Sequence, residues 1–184
     1  MKQQITLKYT EKPTETDFAK YNEFAAKNWG KSNDSAEDAA KNFFDKNKSV
    51  VTAYINYELV GLCFIHFRTT NFNGKNISFA GIGGVVTHKE FRHKGIATKL
   101  LQEAIQKMQD KVVDIALLAT DIPRLGKLYS IVGFVPLKNT YVFDDINDVR
   151  KPDPGGMIAP ICSPEIYSEI VNSPEALFVG KSAF

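Results

Sequence analysis

The sequence predicts an α+β fold in which about four helices flank a central, twisted sheet of six to seven strands. Alternating apolar runs bounded by turn residues indicate the strands, and apolar residues at helical spacing indicate the helices. Hairpins precede a single strand–helix–strand unit, so the sheet should be mixed and mostly antiparallel. The 184 residues, 43% of them hydrophobic, suffice for one core, and we expect a single domain over residues 1–184.

The N-terminal part predicts one strand and two helices. Residues 5–9 alternate apolar and polar side chains, as in a strand with one buried face. Thr14 and Asp17 form a capping box for a first helix that Gly30 can end, and Ser35 opens a second helix. Four aromatic residues on these helices are expected to belong to the core or to line a groove: Phe18, Tyr21, Phe43 and Phe44.

Three strands are predicted next. Residues 49–56 and 59–67 are joined by a tight turn, and residues 77–87 form the third strand. Asn73-Gly74 is a strong turn signal within a segment, 67–77, that we predict as a loop. The glycines inside the third strand predict a bulge or a close backbone approach.

A long helix over residues 95–108 carries one apolar stripe, and residues 114–120 form a strand buried on both faces. Pro123 opens a short helix that Gly133 ends, with Phe134 placed to pack back as in a Schellman motif. Residues 147–156 are predicted as loop. The remaining strand candidates are 134–137 and 141–143. The tail holds residues 157–161, a helix at 163–171 and an apolar stretch at 176–179.

Charge and hydropathy exclude several classes of function. Lys and Arg number 23 and Asp and Glu 21, whereas nucleic-acid-binding proteins usually carry a strong basic excess. No apolar run approaches the roughly 18 residues that span a membrane, and the N-terminus lacks the apolar core of a signal peptide. Cys63 and Cys162 lie far apart, which fits a reducing compartment. We therefore expect a cytoplasmic protein that binds neither nucleic acid nor membrane.

The segment from residue 81 to residue 101 carries the chemistry. A strand ends near Thr87, and Arg92-x-x-Gly95-x-Ala97 opens the long helix after a short charged connection. Backbone N–H groups in a first helical turn point toward an anion, and the helix dipole favours negative charge there. Basic residues outnumber acidic ones in this connection. On the residues alone, the same pattern also fits a solvated basic helix start.

This arrangement resembles the signature of the GNAT superfamily, the acetyl-CoA-dependent N-acetyltransferases. In that family a Val-rich strand end, here residues 85–87, precedes Gln/Arg-x-x-Gly-x-Gly/Ala at a helix start. A second family feature is a short helix with a tyrosine followed by Gly-Phe, which Tyr129 and Gly133-Phe134 match. The resemblance is tight over residues 77–137 and, in element order, covers nearly the whole chain. It implies the GNAT fold.

The resemblance implies acetyl-CoA as co-substrate and no metal. In the family the strand end pairs with the pantetheine arm of the cofactor, and amides of the helix start hold its pyrophosphate. Where the two parallel strands separate, a strand N–H can stabilise the oxyanion of the tetrahedral intermediate. Tyr129 takes the place of the tyrosine that protonates the departing thiolate, although by position alone it also fits the core. The residues implied to bind the cofactor are Val85, Val86, Thr87, Arg92, His93, Lys94, Gly95, Ile96, Ala97 and Thr98.

Other kinds of site are excluded by spacing. The glycines at 81–84 do not form a dinucleotide fingerprint, because a strand continues where a helix should begin, and residues 180–182 lack the first glycine of a P-loop. His66, His88 and His93 do not have zinc-ligand spacing.

The acceptor is expected to be a primary amine on a small molecule or a protein. No motif places the base that must remove its proton. Glu58, Asp121 and the terminal carboxylate of Phe184 are unranked candidates, and each also fits a solvated surface position.

In its whole-chain layout the sequence most resembles the aminoglycoside 2′-N-acetyltransferase branch. Those enzymes place carboxylates around a cationic antibiotic, at positions where this chain has Gly83 and, near its end, Lys181 and Ser182. A polycation binds poorly without such charges, so we expect aminoglycosides to be poor acceptors.

A second hypothesis is a CoA-binding regulatory or interaction module without turnover. Retention of Tyr129 argues weakly against it, and a Tyr129→Phe variant distinguishes the two, because only an enzyme has a rate to lose. A homodimer is a further expectation from the resemblance.

Overall fold

The computed structural model describes residues 4–28, 48–145, 147–153 and 155–181. A single turn of 3₁₀ helix, Lys89–Phe91, precedes the second α-helix. The helices are α1 (Glu15–Asn28), α2 (Ile96–Asp110), α3 (Ile122–Ser130) and α4 (Pro164–Asn172), and the strands are β1 (Thr6–Thr10), β2 (Lys48–Ile55), β3 (Glu58–Phe72), β4 (Lys75–Thr87), β5 (Ile115–Ala119), β6 (Val135–Pro136), β7 (Tyr141–Asp144), β8 (Arg150–Asp153), β9 (Gly156–Pro160) and β10 (Phe178–Lys181).

The main sheet has seven strands in the order β1-β2-β3-β4-β5-β9-β6. Only β4 and β5 are parallel in it, and the other neighbours are antiparallel. The predicted α+β fold with a mixed, mostly antiparallel sheet is therefore confirmed. The parallel pair is the one whose connection contains α2, as expected for a strand–helix–strand unit.

The loop predicted for residues 67–77 is wrong. Strands β3 and β4 pair as far as Phe72 and Lys75, and only the Asn73-Gly74 turn, with positive φ at both residues, separates them. The hairpin can extend this far because Phe72 and Ile77 are buried under α4 and the second sheet, while the polar residues between Phe67 and Phe72 are less buried. The turn signal itself is confirmed.

The loop predicted for residues 147–156 is also partly wrong, because β8 lies within it. A second, three-stranded sheet has the order β10-β7-β8, with β10 parallel to β7 and β8 antiparallel to it. Pro152 is tolerated in β8 because β8 is an edge strand. Arg150 and Lys151 of β8 form ion pairs with Asp144 and Asp145 beside β7, and this pairing was not apparent from the local sequence.

Several local predictions are confirmed. The backbone N–H of Asp17 donates to Thr14 Oγ1 over 3.1 Å, and the N–H of Thr14 donates to Asp17 Oδ2 over 3.0 Å, which is a capping box. Gly133 has φ 95° and follows α3, while the N–H of Phe134 donates to the carbonyl of Tyr129, as in a Schellman ending. The predicted end of α1 at Gly30 and the helix from Ser35 lie outside the described residues.

The two faces of the main sheet carry different layers. Helices α2 and α3 cover one face through a large apolar cluster, and α1, α4 and the second sheet cover the other. On this other face Phe18 stacks on Phe64 with ring centroids 6.2 Å apart, and Tyr21 is buried against the same ring. Both residues therefore belong to the core under α1, whereas Phe43 and Phe44 lie outside the described residues. None of the described helices is long and apolar enough to cross a membrane.

Candidate active site

Strands β4 and β5 diverge at their carboxyl ends. Their parallel pairing covers Phe79 to Ile82 against Ile115 to Leu118, but β4 continues to Thr87 along β3. The register of β3 and β4 shifts near Gly84, which has φ 58°. This is the bulge that the strand glycines predicted, and it bends β4 away from β5. The divergence opens a gap between the two strands in the described part of the chain.

The start of α2 forms a cradle of backbone amides beside this gap. His93 has φ 61° and Gly95, the N-cap, has φ 75°, so the chain turns sharply before the helix. The first N–H to reach a helical carbonyl is that of Lys99, which donates to Gly95 over 3.1 Å. The amides of Ile96, Ala97 and Thr98 therefore precede the helical ladder, and the helix dipole makes their surroundings attractive to an anion.

The cradle, the end of β4 and one side of α3 line one cavity of about 580 Å³. A Cβ on Gly95 would meet no other atom within 4 Å, so the cradle is open to a ligand at this point. Lys94 is the one predicted cofactor residue whose side chain does not line the cavity; its Nζ lies 4.8 Å from the centroid of the Phe91 ring. The lining residues are Asn28, Val85, Val86, Thr87, Phe91, Arg92, His93, Gly95, Ile96, Ala97, Thr98, Arg124, Leu125, Leu128 and Tyr129.

The Arg92 side chain binds backbone carbonyls. Its Nε donates to the carbonyl of Thr87 over 3.4 Å, and a terminal nitrogen donates to the carbonyl of Asn28. One guanidinium thus ties the end of β4 to the end of α1 immediately beside the cradle. Although it lines the cavity, two of its donors are already engaged by the protein.

Asn28 is a site residue that the sequence did not reveal. Its side chain is 5% exposed, donates to the carbonyl of Phe24 over 2.9 Å and accepts from the N–H of Lys89 over 3.2 Å. It connects α1 to the 3₁₀ turn and forms part of the cavity wall. An asparagine at the end of a helix is ordinarily a capping residue, so no local signal pointed to this position.

Tyr129 meets both expectations for its position, because it is 7% exposed within the core and also lines the cavity. The Phe134 ring packs edge-on against it with centroids 6.4 Å apart. Burial raises the pKa of Tyr129, and a hydrogen bond with the Thr120 side chain opposes this effect. The hydroxyl is therefore protonated at neutral pH and is available as a proton donor.

Two of the three carboxylates considered as bases, Asp121 and Glu58, lie in the described residues, and neither lines the cavity. Asp121 caps α3, where it accepts from the backbone N–H and from Nε of Arg124 over 3.3 and 3.2 Å. Glu58 lines a separate groove with Lys20 and Lys27 of α1. The carboxylate of Phe184 lies outside the described residues.

The histidines do not form a metal site. His66 is buried next to Lys48 and Arg68, His88 caps the 3₁₀ turn, and His93 is exposed at the cradle. Across residues 4–28, 48–145, 147–153 and 155–181, no three His, Cys, Asp or Glu side chains lie close enough to hold a metal ion.

The sequence model of the acetyltransferase (GNAT) domain family matches residues 10–136, which is more than half of the chain. The chain belongs to the GNAT acetyltransferase family. This family transfers acetyl groups and uses acetyl-CoA. No curated protein matches the chain significantly.

Solved structures share the GNAT fold. A GCN5-related N-acetyltransferase from Anabaena variabilis superposes with a TM-score of 0.57 at 22% identity, covering 74% of this chain. This chain spans only 34% of that protein. The ribosomal-protein-S18-alanine N-acetyltransferase of Escherichia coli gives 0.55 at 14% identity, covering 86% of this GNAT chain and 94% of that one. A chain of the NatC complex bound to Gag peptide and CoA gives 0.55 at 20% identity, covering 85% and 98%.

At these identities the likeness shows the fold alone. The aminoglycoside 2′-N-acetyltransferase branch is not confirmed by these relatives of the GNAT chain and stays a prediction. The single domain over residues 1–184 and the homodimer also stay predictions.

Proposed function

We propose that this GNAT protein transfers the acetyl group of acetyl-CoA to a primary amine by direct attack of the amine nitrogen on the thioester carbonyl. The observation that carries the proposal is the continuity of one cavity, lined by the amide cradle, the end of β4 and the α3 face that carries Tyr129. A cofactor with an anionic end and a reactive thioester end needs these two environments in one cleft.

The residues around the cavity fit acetyl-CoA by their chemistry. The amides of Ile96, Ala97 and Thr98 suit the pyrophosphate, because they are donors without helical acceptors at the positive end of a 15-residue helix. The backbone of residues 85–87 faces the gap and suits the amide groups of the pantetheine arm. A strand N–H at the gap would stabilise the oxyanion that forms when the amine attacks.

Tyr129 acts in this proposal as the general acid. When the carbon–sulfur bond breaks, the electron pair stays on sulfur, and the phenol gives its proton to the thiolate. The buried hydroxyl lies on the cavity wall and its pKa is raised, so it is protonated when the leaving group needs the proton.

The acceptor in this proposal is a small-molecule amine or a protein amine. The E. coli relative is named for a protein alanine, and the NatC structure holds a peptide with CoA, which supports including peptides among the test acceptors. A cytoplasmic location is part of the proposal, supported by two free cysteines, one buried at Cys63 and one exposed at Cys162.

The test measures thiol release from acetyl-CoA with polyamines, arylalkylamines, amino acids, aminoglycosides and short peptides. Tyr129→Phe should lower the amine-dependent rate by roughly 100-fold, because it removes the proton donor and leaves the ring in place. Calorimetry should show CoA binding unchanged in this variant. Tyr57→Phe is the matched control, since Tyr57 is fully exposed in the β2–β3 turn.

Thiol release that depends on an amine and falls only in Tyr129→Phe would support the proposal. CoA binding without release for any acceptor would favour the binding-module hypothesis. Equal rates in Tyr129→Phe and the unmodified chain would remove Tyr129 from the mechanism.

A further inference from the structure

Asp153 lies near the carboxyl end of β5, where β5 stops pairing with β4, although it is not among the residues that line the cavity. Strand β9 begins at Gly156, which pairs with Ala119 at the end of β5. One step further, the N–H of Thr120 donates to the carbonyl of Gly155 over 3.0 Å. Asp153, the last residue of β8, precedes Gly155 by two residues, so its carboxylate lies next to this contact.

The Asp153 carboxylate is held by two neutral donors. The hydroxyl of Tyr141 donates to Oδ2 over 2.9 Å, and the N–H of Gly155 donates to Oδ1 over 2.9 Å. Tyr141 is itself fixed, because it is completely buried and its ring lies so close to Gly156 that a Cβ there would be 2.8 Å away. Burial, reinforced by the charge of Asp153, raises the pKa of Tyr141, so its hydroxyl remains a donor.

Asp153 differs from the other carboxylates of β7, β8 and the connection between them in forming no ion pair among the described residues, although the charge of Arg68 acts on its donor Tyr141. The others are all neutralised by ion pairs, which are Asp144 with Arg150, Asp145 with Lys151 and Asp148 with Lys181. Asp153 is half-buried, and a carboxylate in that environment gains more from a cation than one in open water. Its position therefore suits the positive charge of an ammonium ligand.

A short connection joins Asp153 to Tyr129. Thr120 lies close enough to Tyr129 to lower the pKa of that phenol, and the N–H of Thr120 donates to the carbonyl of Gly155, whose own N–H holds Asp153. Tyr129 belongs to the apolar cluster on the α2 and α3 face of the sheet, and Tyr141 to the cluster on the opposite face. The acid and the carboxylate thus reach the same strand end from the two sides of the sheet.

We infer that Asp153 binds the acceptor as an ammonium ion and accepts its proton, with Tyr141 as the positioning residue. This inference rests on the proposed acetyl transfer. The ammonium gives one proton to the carboxylate, and the freed nitrogen lone pair forms the C–N bond as the C–S bond breaks. Tyr129 protonates the sulfur, and the second nitrogen proton returns to the Tyr129 oxygen. The proton on Asp153 leaves to solvent, so one proton is released per amide formed.

The experiment compares two kinds of acceptor with the unmodified chain and with Asp153→Asn. Phenylethylamine, spermidine and a peptide with a free N-terminus are ammonium ions at neutral pH, whereas hydroxylamine is largely uncharged and has no such proton to lose. In Asp153→Asn we expect the rate with the active ammonium acceptor to fall roughly 100-fold, and the rate with hydroxylamine to change less than about threefold. The KM for acetyl-CoA should stay within about twofold.

Two further variants make the result specific. Asp148→Asn makes the same chemical change in the connection between β7 and β8, at an exposed, ion-paired carboxylate, and should leave both rates unchanged. Tyr141→Phe keeps the carboxylate but removes one of its hydrogen-bond donors. Its rate with ammonium acceptors should therefore lie between the rate of the unmodified chain and that of Asp153→Asn.

Each outcome decides a different point. A selective loss with ammonium acceptors supports the inference. Unchanged rates in Asp153→Asn, or equal losses with hydroxylamine and the ammonium acceptors, overturn it, because the carboxylate then has no role or only a structural one. Absence of thiol release with every acceptor in the unmodified chain overturns the proposed acetyl transfer itself, and the inference with it.

Discussion

At the level of single residues, the Arg92 guanidinium organises the backbone around the cavity. Its bonds to the carbonyls of Thr87 and Asn28 hold the end of β4 and the end of α1 at a fixed separation. Arginine suits this task because its planar fork presents several donors in a rigid arrangement. The residue that opens the family signature therefore shapes the cradle, while the anion site itself consists mainly of backbone amides.

His66 gives the fold a defined dependence on pH. It is 2% exposed on β3, and burial, with the nearby charges of Lys48 and Arg68, lowers its pKa well below 6.5. The unfolded chain binds a proton at this side chain below pH 6.5, and the folded chain does not. Stability is therefore fully present above pH 6.5 and is lost as the pH falls below that value.

We expect the free energy of unfolding to fall by about 1 kcal/mol between pH 6.5 and pH 5.5 because of His66. Urea denaturation at these two pH values measures the change. In His66→Leu the fall should largely disappear, and in His93→Gln, which removes an exposed imidazole, it should persist. A fall of the same size in His66→Leu would assign the pH dependence to other groups.

At the level of elements, the start of α2 depends on the left-handed conformation of Gly95, with φ 75°. Side chains with a Cβ adopt this conformation at a cost of roughly 1–2 kcal/mol, and asparagine adopts it more readily than alanine. Space is not limiting, since a Cβ there would meet no atom within 4 Å. The cost of substitution should therefore come from the backbone.

We expect Gly95→Ala to lower the free energy of unfolding by about 1–2 kcal/mol and Gly95→Asn to lower it by less. Both variants place a side chain in the mouth of the cradle, so both should weaken CoA binding. Urea denaturation and calorimetry measure the two effects separately. Equal destabilisation by alanine and asparagine would contradict the conformational explanation.

Elements with local signals were predictable from the sequence. The capping box of Thr14 and Asp17, the Schellman ending at Gly133 and the apolar stripe of α2 are each encoded within a few residues. The far half of the β3–β4 hairpin and strand β8 were not predictable, because they depend on partners remote in sequence. Glu169 of α4 pairs with Lys75 at the hairpin tip, and Arg68 of β3 donates to the carbonyl of Val179 in β10.

The same distinction applies to the candidate site. The cradle and Tyr129 lie in contiguous motifs, so their positions followed from the sequence and from the family resemblance. Asn28 reaches the cavity, and Asp153 reaches the end of β5, only through the packing of α1 and of β8. A single sequence has no signal for such contacts, because neither residue belongs to a motif.

For the whole molecule, the main sheet separates two apolar clusters that share its central strands. Leu101 of α2 is buried in the cluster on one face of the sheet. Leu177, just before β10, is buried in the cluster on the other face. Strands β4 and β5 contribute Ala80 and Leu118 to the first cluster and Phe79 to the second. Because alternate residues of one strand serve both clusters, neither face can lose its packing without disturbing the other.

We therefore expect one cooperative unfolding transition for residues 1–184. Leu101→Ala and Leu177→Ala each leave a cavity in a buried cluster and should lower the free energy of unfolding by about 2–5 kcal/mol. Fluorescence and circular dichroism during urea denaturation should report the same midpoint in each variant. Leu177→Ala could instead produce an additional transition at lower urea concentration, with the midpoint of the main transition unchanged. The second sheet would then be an independently unfolding unit. Strand β8, which carries Asp153, would then open separately from the amide cradle.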